Sequence, residues 1–261
     1  MKGHPMFIVF GSKMVGRKKH VRSWGRCHKC GTYGKQRHYT ARKWGHIYYI
    51  PILPSGSQVR VINECRKCRN GIHITAADVP RTLEGAVRRS NAAINALVTG
   101  QERYDDAGMQ EPCIPTLTGV ARTFHALAEP AYTQWLLTTL REEDLPLAHA
   151  IVQGQILELN GDLDQAETMY KQAVTDHPDS EFARRSLASA YIHGGDKAKA
   201  RDTLDTVLEM CKTPEDKVAI LRILIGLNED MKDYSEACKC YDECFELSPR
   251  LTGEKKFAKA Y

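Results

Sequence analysis

Apolar and polar positions follow two different periods along this chain. From Leu147 onward they recur every 34 residues: with Leu147 as position 1, Gly154 falls at 8, Ala166 at 20, Tyr170 at 24, Ala173 at 27 and Pro178 at 32. A second copy begins at Glu181 and carries Leu187, Ala188, Tyr191, Ala200, Leu204 and Val207 at the equivalent places. A third, displaced by three extra residues near 212–216, begins at Val218 and carries Leu221, Leu224, Ala237, Tyr241, Cys244 and Pro249. Each copy has the same turn before its small residue: Gly161-Asp162 before Ala166, Gly195-Asp196 before Ala200, Lys232-Asp233 before Ala237. Small residues at fixed places let paired helices approach closely, and stacked pairs bury a core that no single pair has. The pattern predicts a three-repeat α-solenoid, with 251–261 as a short capping helix.

Upstream, Leu83, Val87, Ser90, Ile94 and Leu97 keep helical spacing and predict a helix over 82–99 ending at Gly100. Residues 101–115 read as a loop with Cys113 an ordinary loop thiol, followed by helices over Thr116–Ala128 and Ala131–Glu143. Phe124, Leu127, Tyr132, Trp135 and Leu136 are the expected inward positions. Before residue 76 the period changes to two. Lys35–Trp44, Ile47–Ile52, Val59–Ile62 and Ile72–Thr75 are rich in aromatic and β-branched residues and predict strands, with a turn at Pro54-Ser55-Gly56. The expected organisation is 1–76 as a small β module, 77–130 as a helical connection and 131–261 as the repeat domain.

Chemistry concentrates in the β module. Cys27 and Cys30 are separated by two residues, as are Cys65 and Cys68, with 34 residues between the pairs. Two such tight turns aim four thiolates at one ion, which is the closed tetrahedral arrangement of structural zinc, and the metal supplies much of the folding energy of so small a module. One structural Zn²⁺ on Cys27, Cys30, Cys65 and Cys68 is therefore expected. His28, His38 and His73 lie near enough to replace a cysteine but read as bystanders. Cys238, Cys240 and Cys244 do not converge on a helix, so no second metal is expected there.

Charge divides the chain in the same place. Residues 1–70 hold 16 Lys or Arg and one acidic residue, Glu64, a net of +15; of totals of 37 and 32, the rest keeps 21 basic and 31 acidic, a net of −10. Opposed halves point to different partners. Lys13, Arg17, Lys18, Lys19, Arg22 and Arg26 are the densest cationic cluster, with Tyr33, Tyr39, Trp44, Tyr48 and Tyr49 nearby. Cations with interleaved rings suit an anionic partner: RNA, DNA or an acidic protein. Gly11-Ser-Lys-Met-Val-Gly16-Arg17-Lys18 is a near miss of the phosphate-binding loop, with Arg17 where Lys is needed and Lys18 in place of the hydroxyl. The apolar runs Met6–Phe10 and Ile47–Leu53 are too short to span a bilayer, no cleavage signal follows the first, and paired cysteines suit a reducing compartment; a cytoplasmic protein is expected.

Met6-Phe-Ile-Val-Phe-Gly11, Cys27-x-x-Cys30-Gly31, the stretch Trp44-Gly-His-Ile-Tyr-Tyr-Ile-Pro-Ile-Leu-Pro54 and Cys65-x-x-Cys68 together resemble a family of N-terminal zinc-ribbon domains. In that family Pro follows the first cysteine and Gly ends the second knuckle; here these are His28 and Arg69. The resemblance implies a zinc-binding module without an assigned reaction. Residues 146–249 resemble tetratricopeptide-repeat (TPR) proteins, which implies a concave groove that docks a protein or peptide. Ile151, Arg185 and Arg222 take position 5 of the repeats, and Gln155, Ser189 and Gly226 position 9. Arg185, Arg222, Gln155 and Ser189 are thus the candidate groove residues. The Lys and Asn set with which family members clamp a chaperone's terminal carboxylate is absent.

The fold class expected is mainly α: a three-repeat TPR solenoid with a small N-terminal β zinc ribbon. No nucleophile–base pair, open metal or cofactor loop is found, so the function expected is that of a non-enzymatic adaptor. Its groove would dock a protein and its basic ribbon a second, anionic partner. The alternative is a nucleic-acid or ribonucleoprotein factor whose ribbon binds phosphate while its repeats recruit protein.

Overall fold

A computed structural model describes residues 10–30, 33–47, 50–103 and 112–248. Expectations for residues 6–9, for Tyr48 and Tyr49 and for the capping helix at 251–261 lie outside these residues. The chain divides into two compact units, residues 1–162 and 163–261.

The first unit opens with a four-stranded antiparallel sheet in the order β1-β2-β3-β4: β1 Phe10–Arg26, β2 Tyr33–Ile47, β3 Ile50–Cys65 and β4 Ile72–Thr75. β4 falls where the alternation placed it. The expected strand over Ile47–Ile52 is instead the end of β2 and the start of β3, and Pro54-Ser55-Gly56 lies inside β3 rather than in a turn. A register shift between Arg42 and Trp44 absorbs the interruption, as a bulge does. β1 had no forecast, since its Lys, Arg and Gly residues carry little strand propensity; it is held by backbone pairing to β2, with shifts at Val15/Lys18 and Lys18/Val21. The near miss of a phosphate loop at 11–18 lies within this strand.

Alternation gives the sheet two distinct faces. One carries the apolar cluster Tyr39, Ala41 and Val61, flanked by Met14 and Val59, with Ala41 paired to Val59 and Tyr39 to Val61. The other carries His38, Thr40 and Arg60, and it meets a helix. Among the described residues, four helices follow in this unit: α1 Asp78–Thr99, α2 Cys113–Leu127, α3 Pro130–Glu142 and α4 Pro146–Asn160. α1 starts four residues before the expected 82, and Cys113 begins α2 instead of lying in a loop. α2 is the hub, packing on α1, α3, α4, β1 and β3. Its Leu117, Val120, Ala121 and Phe124 are at most 1% exposed. On α3 only Leu136 and Leu140 are buried; Tyr132, expected inward, is exposed, with its ring against Phe124.

The second unit is helical: α5 Leu163–Asp176, α6 Glu181–Gly194, α7 Lys197–Met210, α8 Pro214–Met231 and α9 Tyr234–Leu247. α6 packs on α5 and α7, and α8 on α7 and α9, as stacked helical hairpins require. Ala166, Tyr170, Ala173, Ala200, Leu204, Val207, Ala237, Tyr241 and Cys244, the positions that define the repeat, are all buried. Ser180, Asp196, Thr213 and Asp233 accept N–H bonds at the starts of α6, α7, α8 and α9, so the Asp of the second and third repeated turns is a helix cap.

Candidate metal centre and its cationic surroundings

Strand ends position the four cysteines. β1 stops at Arg26 and delivers Cys27 into a turn that carries Cys30; β3 ends in Cys65 and turns to Cys68. The second turn is closed by the Arg69 N–H on the Cys65 carbonyl and the Cys65 N–H on the Asn70 carbonyl, at 3.0 and 2.9 Å. The sulfurs of all four lie within 4.8 Å of one another, with Cys27 and Cys68 at 3.5 Å and Cys30 and Cys65 at 3.8 Å. Thiolates 2.3 Å from one tetrahedral zinc ion would sit about 3.8 Å apart. The cluster therefore has the size and the soft donor set to hold a metal ion and is compatible with Zn²⁺. Filled by four sulfurs, such an ion has no position for water or substrate, so what it supplies is cross-linking of two strand ends.

Without metal the thiols are unequal. Hydrogen bonds from Asn70 hold Cys68 below its ordinary value. The backbone N–H groups of Cys30 and Lys29 pull Cys27 down, yet burial and its thiol neighbours outweigh them and push it up to about 11. The three nearby histidines stay outside the cluster. His28 and His73 are exposed. His38 is buried with both ring nitrogens engaged: Nδ1 accepts from the Asn63 N–H at 3.2 Å, which leaves Nε2–H to donate to Ser23 Oγ at 2.7 Å. Burial first, then the charges of His125 and Arg60, pushes His38 down to about 3.

The sheet is tied to the helices by residues with no motif to announce them. Arg60, 3% exposed, donates Nε and Nη2 to the Ala126 carbonyl at 3.0 and 2.8 Å and Nη1 to the Lys19 carbonyl at 2.7 Å. A cation on the last carbonyls of α2 also complements the helix dipole. His125 Nε2 donates to the Arg22 carbonyl at 2.8 Å. Glu64, the acidic residue of the basic segment, is buried under the Arg37 guanidinium at 2.7 Å and accepts from the Tyr39 hydroxyl at 3.0 Å. It is a structural counterion.

Of the expected cationic cluster, Arg17, Lys18, Lys19 and Arg22 are exposed on edge strand β1; Lys13 and Arg26 belong to the same strand. None of those four makes an ion pair with a described residue; Arg17 lies over the Tyr39 ring at 4.5 Å. Tyr39 is buried in the sheet and Trp44 half-buried. The expected groove residues differ among themselves. Gln155 is buried on α4, its amide oxygen accepting from Arg122 of α2 at 3.1 Å. Arg185 pairs with Glu181 at 3.0 Å, Ser189 is half-buried and Arg222 is exposed.

Residues 157–210 and 227–251 match models of the tetratricopeptide repeat. The chain thus carries repeats of that kind, in α4–α7 and in α8–α9. A thermophilic TPR protein of Thermus thermophilus is similar in structure at 20% identity, covering 70% of this chain and 98% of that one, with a TM-score of 0.43. BtubC (BKLC) from P. vanneervenii is similar at 14% identity over 72% of this chain and 81% of its own, with a TM-score of 0.46. No curated protein sequence matches the chain. Among the described residues, no helix is long and apolar enough to cross a membrane.

Proposed function

We propose that this protein is a non-enzymatic, zinc-binding adaptor of the cytoplasm. Its repeats dock a protein or peptide, with Arg185, Arg222 and Ser189 facing an acidic ligand. Its zinc-stapled sheet presents β1 to a second, anionic partner. The observation that carries the reading is the pairing of tetratricopeptide repeats, whose general use is protein docking, with a four-thiolate cluster that has no room for a reacting molecule. The ion's part is structural: it holds the ends of β1 and β3 together so that the cationic strand keeps its shape.

The test uses full-length protein. Elemental analysis should find one zinc per chain, lost in Cys65→Ser. Cross-linking in cells should recover a protein partner whose yield falls in Arg185→Glu/Arg222→Glu while zinc content is unchanged. A chain that carries no zinc when purified under reducing conditions overturns the metal half of the reading; a partner indifferent to those arginines overturns the docking half.

A second reading, a ribonucleoprotein or nucleic-acid factor, is favoured by Arg17, Lys18, Lys19 and Arg22 lying exposed and without acidic partners on one edge strand. Phosphate contacts would make its affinity fall linearly in log scale with salt, which docking of an apolar peptide does not.

A further inference from the structure

Beside the second cysteine turn the sheet carries an open pocket of about 370 Å³, lined by Trp24, Lys35, Gln36, Cys65, Arg66 and Lys67 among others. That volume is in the range of small-ligand sites. Three cations and an indole line the pocket, and none of its described lining residues is acidic. Lys35, Arg66 and Lys67 are exposed and form no ion pair with any described residue. The Lys35 ammonium stands 5.0 Å over the Trp24 ring, so on the side where the cations gather the indole face is capped by a cation.

We propose that this pocket is a nucleotide-binding subsite for single-stranded nucleic acid: one base stacks on Trp24, and Lys35, Arg66 and Lys67 take the adjoining phosphates. The inference deepens the anionic-partner reading above and rests on it. A ring face flanked by unpaired cations is the arrangement that holds unpaired bases, because every base offers a π-face and every nucleotide a charge. Lys35 has a flexible stem and can exchange the ring for a phosphate as the base arrives. Duplex is excluded, since its bases are already stacked and paired. Cys65 forms part of the wall, so the subsite exists only while the cysteine cluster is assembled.

The test is fluorescence anisotropy of a labelled eight-nucleotide oligo(dT), and its oligo(U) counterpart, with full-length zinc-loaded protein across a salt series. Arg66→Gln/Lys67→Gln, both exposed, should weaken binding on the order of tenfold and lower the salt slope, whereas Arg88→Gln/Arg89→Gln, a charge-matched change on α1, should do neither. Trp24→Phe should retain part of the affinity and Trp24→Leu lose it, with zinc content and circular dichroism confirming that each variant folds. Should Trp24→Leu fail to fold, the Arg66/Lys67 pair and quenching of indole fluorescence by the oligonucleotide still decide. Loss on Lys18→Gln/Lys19→Gln with the Arg66/Lys67 pair indifferent overturns the subsite while leaving the cationic-strand reading in place. Equal binding of an oligoglutamate peptide, insensitive to Trp24→Phe, overturns nucleic acid in favour of acidic protein. No binding of either probe overturns both.

Discussion

A Cβ added to Gly161 would lie 2.7 Å from the indole nitrogen of Trp24. The glycine closes α4 with φ +94, and its N–H bonds back to the Leu157 and Glu158 carbonyls, while Trp24 stands near the end of β1, three residues before Cys27. The first Gly-Asp turn of the repeats is therefore also the seat of the indole that walls the cationic pocket.

Gly161→Ala should be far more damaging than the same change at Gly195. Gly195 has a similar φ of +88 with nothing near its Cβ position, so there the cost is the left-handed backbone alone, about 1 kcal/mol. At Gly161 the indole must also move, and a total of about 2–4 kcal/mol is expected. Denaturant midpoints of the two variants measure the difference, and Trp24→Phe should recover part of it.

Replacing Arg60 with Met should detach the sheet from α2. The Ala126 and Lys19 carbonyls would lose their charged donor inside a water-poor contact, a loss of about 2–4 kcal/mol. Arg60→Lys is not expected to rescue it, because one ammonium cannot reproduce a planar fork that reaches two carbonyls. Hydrogen exchange of β3 and of the C-terminal turn of α2 would show both regions loosening together.

Acid should weaken the first unit through His38. Its folded value near 3 lies below the ordinary 6.5, so between those limits the unfolded chain binds a proton that the folded one refuses. Stability is then complete above about pH 6.5 and falls as pH is lowered through the window, by at most about 1.4 kcal/mol per pH unit. The comparison that isolates His38 is with His38→Gln, whose stability should decline less steeply from pH 6.5 to 4.5.

Lys232→Gly should stabilise the second unit. The third repeat places Lys232 where the first two have glycine, and Lys232 takes the same left-handed conformation, φ +64. Removing its Cβ relieves a strain larger than the entropy that glycine adds to the unfolded chain, for a net gain of about 0.5–1 kcal/mol. A thermal melt that moved downward would show that the lysine side chain makes a compensating contact.

Arg69 shows how sequence and structure divide the work. The motif marks it as standing where glycine is usual, and the backbone there does adopt φ +60, so the departure in the sequence became a local strain in the fold. The same holds for the cysteines: two residues between the members of each pair aim both sulfurs one way within a local turn, and the sheet then brings the two turns together. The repeats were legible for a related reason. Each hairpin needs small residues where its helices cross, and three copies write that need three times, as Ala166, Ala200 and Ala237.

What escaped the sequence is everything held by long-range contact. β1 is a strand because β2 offers it a ladder, a partner that local propensity does not register. Arg60, His38 and Glu64 look like any surface charge in a basic segment; folding buries them, and their partners at Ala126, Ser23 and Tyr39 lie far from them along the chain. Lys35, Arg66 and Lys67 sit outside the densest cationic run and are brought to one pocket by the closing of the sheet. The sequence by itself determined which elements form where periodicity is strong and which cysteines share a turn, since both are set within a few residues. The tertiary structure alone decided which charges are buried, which are left to solvent, and what they face, because burial is a property of surfaces that meet only when the chain has folded.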